Sequence, residues 1–445
     1  MKVALSIAGS DSGGGAGIQA DIKTFSALGV YGCTAITALT AQDTRRVSGI
    51  YPVPPEIVRD QIRSALRDYS PAAIKIGMVY NSETIDAVTR ELASTSTPTV
   101  LDPILAAGTG ARLLRDDAID DFMSKLLPDC QLVTPNRMEA EVLSGTTIRT
   151  DSDAVAAAKI IKRRGAPNVI VKGGHFGAKQ VVDVLVDRKG RVIRFPHSRV
   201  AVAESHGSGC NFSAAATAFL ARGMPLEEAC RKANEYVYHA LLNSVKVGKG
   251  LPVTNPLSSI YLDAMRYRVI EELQQAVEEL CSLPRFHLLI PETQSNFVHA
   301  LPEATELSHV AGVRGRIVRI GATAVPASYI EFGASKHMAS AVLAFMKLQP
   351  AFRAAVNIRY DEKLLKSCRK LLKVASYDRK KEPARTRRKE GSTMAWGISA
   401  ALSAHPDAEV IYHTGDIGKE PMINVFGTSP AHVVVKIKRI LKGYQ

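Results

Sequence analysis

Residues 206–221 read His-Gly-Ser-Gly-Cys-Asn-Phe-Ser-Ala-Ala-Ala-Thr-Ala-Phe-Leu-Ala, a glycine turn that ends in a thiol and opens a run of small residues. The pattern predicts a helix that starts at the turn. Backbone N–H groups freed by the glycines and by the first turn of a helix can surround a phosphoryl group, and the helix dipole favours negative charge there. The sequence therefore predicts an anion site at Gly207, Ser208 and Gly209.

Cys210 follows this turn at the point where negative charge would develop. A thiol has a reference pKa of about 8.5, which a helix N-terminus lowers. We therefore expect Cys210 to be a general base that takes a proton from a substrate hydroxyl as it attacks ATP. The alternative is a buried structural cysteine beside a helix cap. The five residues alone do not separate the two, since short glycine motifs recur in many proteins.

Length and composition bound the class of protein. A chain of 445 residues predicts two or three domains, and 46% hydrophobic with 22% charged residues is typical of a globular protein. The apolar runs are shorter than the roughly 18 residues of a membrane span, and residues 3–7 are too short for a signal peptide. We expect a cytoplasmic protein. Its six cysteines are widely separated, so we expect neither a structural zinc site nor disulfides.

The charge of the chain points to anionic ligands. There are 57 basic and 43 acidic residues, a formal net charge of +14. Residues 261–445 carry 27 basic and 18 acidic residues, a net charge of +9, which leaves +5 for residues 1–260. The excess predicts polyanionic partners, either nucleic acid or phosphorylated small molecules.

Up to about residue 245 the sequence alternates short β-branched runs with helical patterns. This alternation predicts βαβ units and a mainly parallel sheet, with ligands at the carboxyl ends of its strands. The predicted strands are residues 3–7, 34–39, 73–76, 99–101, 132–134 and 169–171, with a hairpin over 181–186 and 191–195. The predicted helices include residues 17–28, 55–67, 82–93 and 152–164.

Repeated glycine and proline interrupt this pattern over residues 248–256, because they block both strand pairing and helix formation. We therefore predict a first domain over residues 1–250, a linker over 251–265 and a smaller α/β domain over 266–445. In the last domain, apolar residues recur at helical spacing from Val269 to Cys281. Its predicted strands are residues 317–320, 355–358, 410–412 and 422–426.

Several polar and glycine-rich segments follow predicted strands in one order: residues 10–21, 134–139, 171–175 and 206–210. This order resembles the ribokinase-like superfamily. Within it, residues 14–29, 36–39 and 75–78 resemble the hydroxymethylpyrimidine and phosphomethylpyrimidine kinases of thiamine biosynthesis, and the likeness extends over residues 1 to about 250. It implies a ribokinase-like parallel-sheet fold and ATP-dependent phosphorylation of an aminopyrimidine alcohol. Ser208 replaces the family's usual threonine and keeps the hydroxyl.

The same resemblance implies a substrate site at Gln42, Asp21 and Gly9. An aminopyrimidine presents an exocyclic donor beside a ring-nitrogen acceptor, and the primary amide of Gln42 offers the complementary groups. Each residue also has a structural interpretation. Gln42 fits a solvated strand end, and Asp21 fits a favourable charge near the start of a helix.

The resemblance places Asp102, Asn136 and Glu139 in a phosphate and Mg²⁺ region, where Asp102 and Glu139 would hold the metal largely through water. Lys172 is expected to neutralise the phosphates of ATP. Glu139 also fits a helix-start carboxylate. Pyridoxal kinases share a cysteine at the position of Cys210, so a pyridoxal-type kinase is the nearest alternative activity.

Basic residues of the second domain flank a predicted helix start and a predicted strand. His337 falls in the first turn of a helix with Ser335 as its cap, and a cationic side chain there suggests an anion nearby. Arg314, Arg316 and Arg319 flank the strand at residues 317–320. Alternation predicts Arg314 and Arg316 on one face and Arg319 on the other. The alternative is a solvated basic edge strand.

Residues 315–316, 333–337, 357–360, 391–394 and 415–421 together resemble the thiamine-phosphate synthase domain, over about residues 266–445. The resemblance implies that pyrimidine-methyl diphosphate loses pyrophosphate and that the ring nitrogen of a thiazole phosphate takes its place. Arg316 and His337 are the residues we expect to stabilise the leaving pyrophosphate, with Arg319 as a fallback and Mg²⁺ on the pyrophosphate.

Two further expectations concern partners. Seven basic residues lie within residues 378–390, just before a Gly-Ser-Thr helix start that is itself a potential anion site. The synthase domain also occurs as a ligand sensor attached to DNA-binding segments, but no helix-turn-helix is left unassigned here. We expect small-molecule substrates without nucleic acid or membrane, and a homo-oligomer as the kinase superfamily implies. A kinase fused to a non-catalytic sensing domain stays the alternative.

Overall fold

The computed structural model describes residues 1–108, 110–173, 180–200, 205–302, 304–383, 392–416 and 419–444. The chain divides into two compact units, Met1–Tyr261 and Leu262–Gln445. The predicted linker over residues 251–265 is not a separate segment. Val253 forms β-bridges with His206 and Val245, and a long helix begins at Ser258. Residues 251–257 therefore belong to the first unit.

The first unit contains a sheet of nine strands within the described residues. These are β1 (Val3–Asp11), β2 (Tyr31–Gln42), β3 (Val47–Pro52), β4 (Ala73–Ile76), β5 (Thr99–Leu101), β6 (Leu132–Val133), β7 (Val169–Val171), β8 (Gln180–Val186) and β9 (Val192–Ser198). Their order is β3-β2-β1-β4-β5-β6-β7-β8-β9. The strands from β2 to β7 in this order pair in parallel. The pairings of β3, β8 and β9 are antiparallel.

Helices cover both faces of this sheet. They are α1 (Gly17–Ala27), α2 (Pro55–Tyr69), α3 (Ser82–Leu92), α4 (Ile119–Asp121), α5 (Arg137–Ser144), α6 (Asp151–Arg163), α7 (Ser208–Ala221) and α8 (Leu226–Leu242). One core contains side chains of α2, α3, α5 and α6, and another contains those of α1, α7 and α8. Every residue of β4, β5 and β7 is buried, which requires a covered sheet on both sides.

The predicted mainly parallel sheet is confirmed, and β4, β5 and β7 have the predicted bounds. The edge strand β3 was not predicted. It contains Gly49 and ends in Pro52, and both residue types weaken a strand pattern in the sequence. Because the central strands are parallel, their carboxyl ends lie at one edge of the sheet, where the polar segments of the sequence follow them.

The second unit has a different sheet. Its strands are β10 (Phe297–Ala300), β11 (Val310–Val313), β12 (Ile317–Ile320), β13 (Thr323–Pro326), β14 (Ile330–Phe332), β15 (Ala354–Arg359), β16 (Val374–Ser376), β17 (Val410–His413) and β18 (Met422–Gly427). The order β14-β11-β10-β15-β18-β17-β16 forms one sheet, and β12 pairs with β13 separately. The pairing of β16 with β17 is parallel and the other pairings are antiparallel.

Five helices within the described residues accompany this sheet: α9 (Ser258–Ser282), α10 (Lys336–Met346), α11 (Glu362–Leu371), α12 (Ser392–Ala404) and α13 (Pro430–Gly443). The unit has one continuous hydrophobic core. In it, Phe345 of α10 stacks on Phe426 of β18 with 4.2 Å between the ring centroids. A search of the described residues for an apolar helix of membrane-spanning length found no candidate.

Candidate functional site

The glycine turn before α7 is built by close contact with the loop after β1. Gly207 is the residue before the helix and has φ +88°, and a Cβ atom added to it would lie 1.8 Å from the carbonyl oxygen of Gly15. A Cβ atom on Gly209 would lie 3.1 Å from Nζ of Lys172. A side chain at Gly207 is therefore excluded by both conformation and space. The turn leaves the backbone of the first turn of α7 next to a lysine ammonium group, as an anion site requires.

Cys210 lies in the first turn of α7 and lines the cavity described below. Burial raises the pKa of its thiol to about 11, and Lys75 offsets this only in part because Asp102 and Asp21 add negative charge. The prediction that the helix start lowers the pKa of Cys210 is therefore wrong. Loss of hydration and two nearby carboxylates outweigh the helix dipole, so the neutral thiol predominates at pH 7.

Lys172 and Asp102 form a buried ion pair beside this turn. Lys172 follows β7 and its Nζ donates to Oδ1 of Asp102 at 3.1 Å, while Ser213 of α7 donates to Oδ2 at 2.9 Å. Burial alone would raise the pKa of Asp102, but Lys172 and Lys75 hold it below its ordinary value. Burial would lower the pKa of Lys172, but Asp102 and Glu139 raise it. Both groups are therefore charged at neutral pH.

Asn136 and Glu139 begin α5 with a capping box. The side chain of Asn136 accepts from the backbone N–H of Glu139 at 2.9 Å, and Glu139 Oε2 accepts from the N–H of Asn136 at 2.7 Å. Glu139 is thus a helix-start carboxylate, and both residues also line the cavity. Burial raises the pKa of Glu139 to about 7, against the attraction of Lys172.

Asp102 and Glu139 are the two carboxylates that could hold Mg²⁺. The described part of the chain holds no group of three or more His, Cys, Asp or Glu placed to bind a metal. Asp102 and Glu139 nevertheless both line the cavity beside Lys172. Mg²⁺ commonly keeps several waters and takes one or two carboxylates together with substrate phosphates. Asp102 and Glu139 fit that mode of binding.

Asp21 does not line the cavity, so its predicted contact with substrate is corrected. Its side chain is fully buried, and its carboxylate accepts from Nζ of Lys75 at 2.5 Å and from Ser6 Oγ at 2.6 Å. Burial would lower the pKa of Lys75, but Asp21 raises it. The charge of Asp21 is used inside the protein, where it holds Lys75 near Cys210.

Gln42 ends β2 and is half-buried at the cavity wall. Its amide lies 3.1 Å from Nε2 of His206 and 3.3 Å from Oγ1 of Thr40. Nε2 of His206 also lies 3.0 Å from Oδ2 of Asp11. Gly9 lines the same wall, and a Cβ atom added to it would lie 2.8 Å from Sδ of Met78.

These residues surround one cavity of about 400 Å³ in the first unit. The predicted site residues that line it are Gly9, Gln42, Asp102, Asn136, Glu139, Lys172, Gly207, Ser208, Gly209 and Cys210. The cavity therefore brings together the amide of Gln42, the thiol of Cys210, the glycine turn at residues 207–209 and the ammonium group of Lys172. Such a set can hold an alcohol at one end and a chain of phosphates at the other.

Arg316 of the second unit lies in a turn before β12. It has φ +72°, as does Gly315, and it is exposed. Its guanidinium donates to the carbonyl oxygen of Thr293, whose own N–H and hydroxyl donate to Glu420. The predicted alternation of Arg314 and Arg316 on one strand face is wrong, because the left-handed turn separates them from the strand that begins at Ile317.

His337 is exposed in the first turn of α10, as predicted. Ser335 is the residue before the helix, but its side chain makes no capping hydrogen bond. A Cβ atom added to Gly312 of β11 would lie 3.5 Å from Cβ of Ser335. The start of α10 therefore lies beside β11, the strand that leads into the turn of Arg316.

A row of asparagines, which the sequence analysis missed, crosses the second sheet. The side chain of Asn357 accepts from the N–H of Asn296 at 2.6 Å, and it lies opposite Asn424 on the neighbouring strand. Asn424 is fully buried, and neither its amide nitrogen nor its amide oxygen has a hydrogen-bond partner among the residues that the structure describes. A buried amide without partners costs about 1–3 kcal/mol, which marks Asn424 as a candidate ligand contact.

The basic run and the glycine loop of the second unit fall partly outside the described residues. Residues 384–390 of the basic run and residues 417–418 of the loop over 413–421 are among those not described. In the described part, Thr393 of α12 donates to Glu382 at 2.6 Å, and Asp416 pairs with Lys419 through backbone hydrogen bonds.

The family of the chain follows from its sequence. Residues 11–255 match the family model of phosphomethylpyrimidine kinase, which covers more than half of the chain. The chain belongs to this family. Residues 272–439 match the model of thiamine-phosphate synthase ThiN. The chain is thus a bifunctional transferase, a pyrimidine kinase domain fused to a ThiN domain.

Individual relatives agree with both assignments. The bifunctional thiamine biosynthesis protein ThiDN of Methanocaldococcus jannaschii is 32% identical over 446 residues, 99% of each chain. The hydroxymethylpyrimidine/phosphomethylpyrimidine kinase of Rhizobium meliloti is 45% identical over 251 residues, 56% of this chain and 94% of that protein. A pyridoxal kinase from Bacillus subtilis, solved as an ADP complex, is 33% identical with a TM-score of 0.55 and covers 59% of this chain and 99% of that one. The first unit is therefore ribokinase-like.

Three cavity residues of this kinase domain had no role in the sequence analysis. Asp11 and His206 lay within quoted segments, but their contact joins residues 195 positions apart. Asp183 of β8 accepts from the N–H of Gly173 at 2.7 Å and from Asn234 at 2.7 Å, and so holds the chain just after Lys172. No local pattern marks it.

Proposed function

We propose that the first unit phosphorylates 4-amino-5-hydroxymethyl-2-methylpyrimidine twice with ATP and that the second unit joins the resulting diphosphate to thiazole phosphate. The observation that carries the proposal is the pairing of a pyrimidine kinase domain and a ThiN domain in one chain, matched along its full length by a ThiDN protein. The products of the second step are thiamine phosphate and pyrophosphate.

In the kinase step, the amide of Gln42 binds the aminopyrimidine edge and the hydroxymethyl group points to Cys210. The hydroxyl oxygen forms a bond to the γ-phosphorus of ATP, the bond between that phosphorus and the β–γ bridging oxygen breaks, and ADP leaves with the electron pair. The thiolate of Cys210 takes the hydroxyl proton. In the second phosphorylation, a phosphate oxygen replaces the hydroxyl as the nucleophile.

The phosphate end of the cavity supports the charge that develops. Lys172 and the backbone of Gly207, Ser208 and Gly209 would contact the transferred group, which gives electrostatic stabilisation where the charge spreads. Asp102 and Glu139 would hold Mg²⁺ through water, and Asn136 fixes Glu139 through the capping box. Bound Mg²⁺ would neutralise charge on the β- and γ-phosphates.

In the synthase step, the lone pair of the thiazole nitrogen forms a bond to the pyrimidine methylene carbon, and the carbon–oxygen bond to pyrophosphate breaks. Pyrophosphate leaves with the electron pair, so positive groups must meet it. Arg316 and His337, both exposed at a turn and a helix start, are the residues that we assign to this role. The buried amide of Asn424 is our candidate for a ring contact.

The test is a product assay with the full chain, hydroxymethylpyrimidine, thiazole phosphate and Mg-ATP. We expect thiamine phosphate, and no product when any one substrate is left out. A second arm supplies the pyrimidine diphosphate and thiazole phosphate without ATP. Binding without product in that arm would favour a sensing domain over a synthase.

Pyridoxal phosphorylation is the second candidate activity, because solved pyridoxal kinases share the fold of the first unit at 32–33% identity. Competition between pyridoxal and hydroxymethylpyrimidine in the kinase assay separates the two. A higher kcat/KM for pyridoxal would replace the pyrimidine assignment.

We also propose a cytoplasmic homo-oligomer that acts on small molecules and does not bind nucleic acid. The phosphate groups of the substrates account for a net charge of +14 without a nucleic-acid partner. Light scattering at several protein concentrations and salt-dependent DNA binding test these two points.

A further inference from the structure

We propose that Asp11 and His206 hold the amide of Gln42 in one orientation, so that the first unit selects a ring with an amino donor beside a nitrogen acceptor and rejects the reversed pattern. The inference rests on the proposed kinase function. It adds two positioning residues and a rule for the substrate.

The first step fixes the proton on His206. Oδ1 of Asp11 accepts from the N–H of Gly13 at 2.8 Å, and Oδ2 accepts from those of Gly15 and Ala16 at 3.0 and 2.8 Å. Burial would raise the pKa of Asp11, but His206 and these N–H groups lower it, so Asp11 is a carboxylate. A carboxylate can only accept. Nε2 of His206, at 3.0 Å from Oδ2, therefore carries a hydrogen and donates to it.

The second step fixes the amide of Gln42. Its nitrogen faces Nε2 of His206 at 3.1 Å, so two donors would point at each other. A half-turn about the last side-chain bond exchanges the nitrogen and the oxygen in nearly the same space. The oxygen then faces His206, and the Nε2 hydrogen is shared between this oxygen and Oδ2 of Asp11.

Thr40 is compatible with this orientation but does not impose it. Its hydroxyl can donate to the carbonyl oxygen of Ser10 at 3.0 Å or to the amide oxygen of Gln42 at 3.3 Å. When the hydrogen is used by Ser10, the hydroxyl accepts from the amide nitrogen of Gln42. His206 therefore decides that the amide oxygen faces it, and Thr40 then accepts from the amide nitrogen.

The third step concerns the hydrogen-bonding groups of the Gln42 amide that His206 and Thr40 do not use. One lone pair on its oxygen and one N–H are unused, and Gln42, Thr40, Asp11 and His206 all line the cavity. The oxygen can accept from an exocyclic amino group while the N–H donates to the adjacent ring nitrogen. A 4-oxo ring presents an acceptor beside a ring N–H and matches only the opposite orientation of the amide, in which the amide nitrogen faces Nε2–H of His206 and that hydrogen bond is lost.

His206 also touches the glycine turn. A Cβ atom on Gly15 would lie 2.4 Å from Cδ2 of His206, and Gly15 contacts Gly207. The residue that orients the recognition amide is therefore the first residue of the phosphate-binding turn. Substrate selection and the phosphate site share one support.

The experiment compares kcat/KM of the full chain for the 4-amino substrate and for its 4-oxo analogue. We expect the wild type to prefer the amino ring by at least about 10²-fold. In His206→Ala the amide is free to turn, and the preference should fall at least about tenfold. Asp11→Asn should act in the same direction, since it removes the negative charge that holds the hydrogen on Nε2 of His206.

Ser12→Ala is the matched control. Ser12 Oγ contacts only the backbone of Gln42, donating to its carbonyl oxygen and accepting from its N–H at 2.9 Å each. This variant should leave the preference unchanged even if KM rises. An unchanged preference in both His206→Ala and Asp11→Asn would overturn the inference.

The wild type alone also decides the matter if a variant does not fold. Use of the amino and oxo rings within about tenfold of each other would show that the amide is not held. If the wild type phosphorylates neither ring, the kinase assignment itself is wrong, and that outcome is distinct from a failure of the orientation rule.

Discussion

In the first unit, Cys210 is buried and the side chain of Lys172 is only 14% exposed beside a glycine turn, whereas Arg316 and His337 of the second unit are exposed to solvent. The difference follows from the sheets. Parallel strands bring their carboxyl ends to one edge, where β5, β7 and the start of α7 converge. In the antiparallel sheet neighbouring strands point in opposite directions, and the candidate residues come from a left-handed turn and a helix start.

The two proposed chemistries use charge differently. Phosphoryl transfer to an alcohol competes with transfer to water. A lysine that is largely shielded from water and already paired with a carboxylate therefore suits this reaction. The synthase step expels an anion that must leave, and exposed cations suit a departing pyrophosphate. Substitutions in the first unit should therefore have large effects on activity or stability. In the second unit, a substitution can lower activity without lowering stability.

The largest effect is expected for Cys210→Ala. Loss of a general base lowers turnover by about 10²–10⁴-fold, and KM for the pyrimidine should change little because Gln42 is untouched. Steady-state kinase assays of the full chain measure it. Wild-type turnover in this variant would leave Cys210 as a helix-start residue only.

Lys75→Met should destabilise the first unit strongly. It leaves the carboxyl of Asp21 fully buried without its partner, a loss of about 3–5 kcal/mol in the free energy of unfolding. The matched control is Lys373→Met in the second unit, whose partner Asp407 is exposed, and this variant should leave stability almost unchanged. Urea unfolding of both variants makes the comparison, and equal midpoints would contradict it.

Asn424→Leu should separate activity from stability in the second unit. Removing a buried amide without partners should leave the free energy of unfolding unchanged or higher, while synthase turnover falls about 10²-fold if the amide contacts the substrate. Synthase assays and thermal unfolding measure the two effects.

In the control Asn357→Leu, Asn296 loses a hydrogen-bond partner, so the free energy of unfolding should fall by about 1–3 kcal/mol. Unchanged synthase activity in Asn424→Leu would remove that residue from the site.

The last prediction concerns the slope of kinase activity with pH. Because burial raises the pKa of Cys210 to about 11, the thiolate fraction grows about tenfold per pH unit below that value. Kinase kcat/KM should therefore rise between pH 7 and 9. Cys210→Asp, whose carboxyl group ionises at a lower pH than a thiol in the same place, should flatten the profile. A flat profile in the wild type would mean that the thiolate is not required.

The sequence predicted the first unit more fully than the second. The strand β7 is a continuous apolar run, and the glycines on either side of Ser208 can be recognised as a turn from the sequence alone. The short strands β10 and β11 contain His299 and Gly312, which hide a strand pattern, and their pairing is set by distant partners.

Site residues were predicted where a local sequence pattern indicated their role. They were missed where the role depends on a contact with a residue far away in the sequence. Lys172 and Cys210 follow a strand and a glycine turn, so their place in the cavity followed from sequence. The family resemblance implied a substrate contact for Asp21, and no local pattern showed that its partner is Lys75, 54 residues away. The low pKa expected of Cys210 was wrong because burial cannot be read from a glycine turn.

The most direct measurement compares Cys210→Ala and Arg316→Ala in the two half-reactions of the full chain. With pyrimidine diphosphate and thiazole phosphate supplied and ATP absent, Cys210→Ala should form thiamine phosphate at the wild-type rate. Arg316→Ala should convert hydroxymethylpyrimidine to its diphosphate at the wild-type rate and then stop. If Cys210→Ala slows the synthase step as much as the kinase step, the assignment of one reaction to each unit is contradicted.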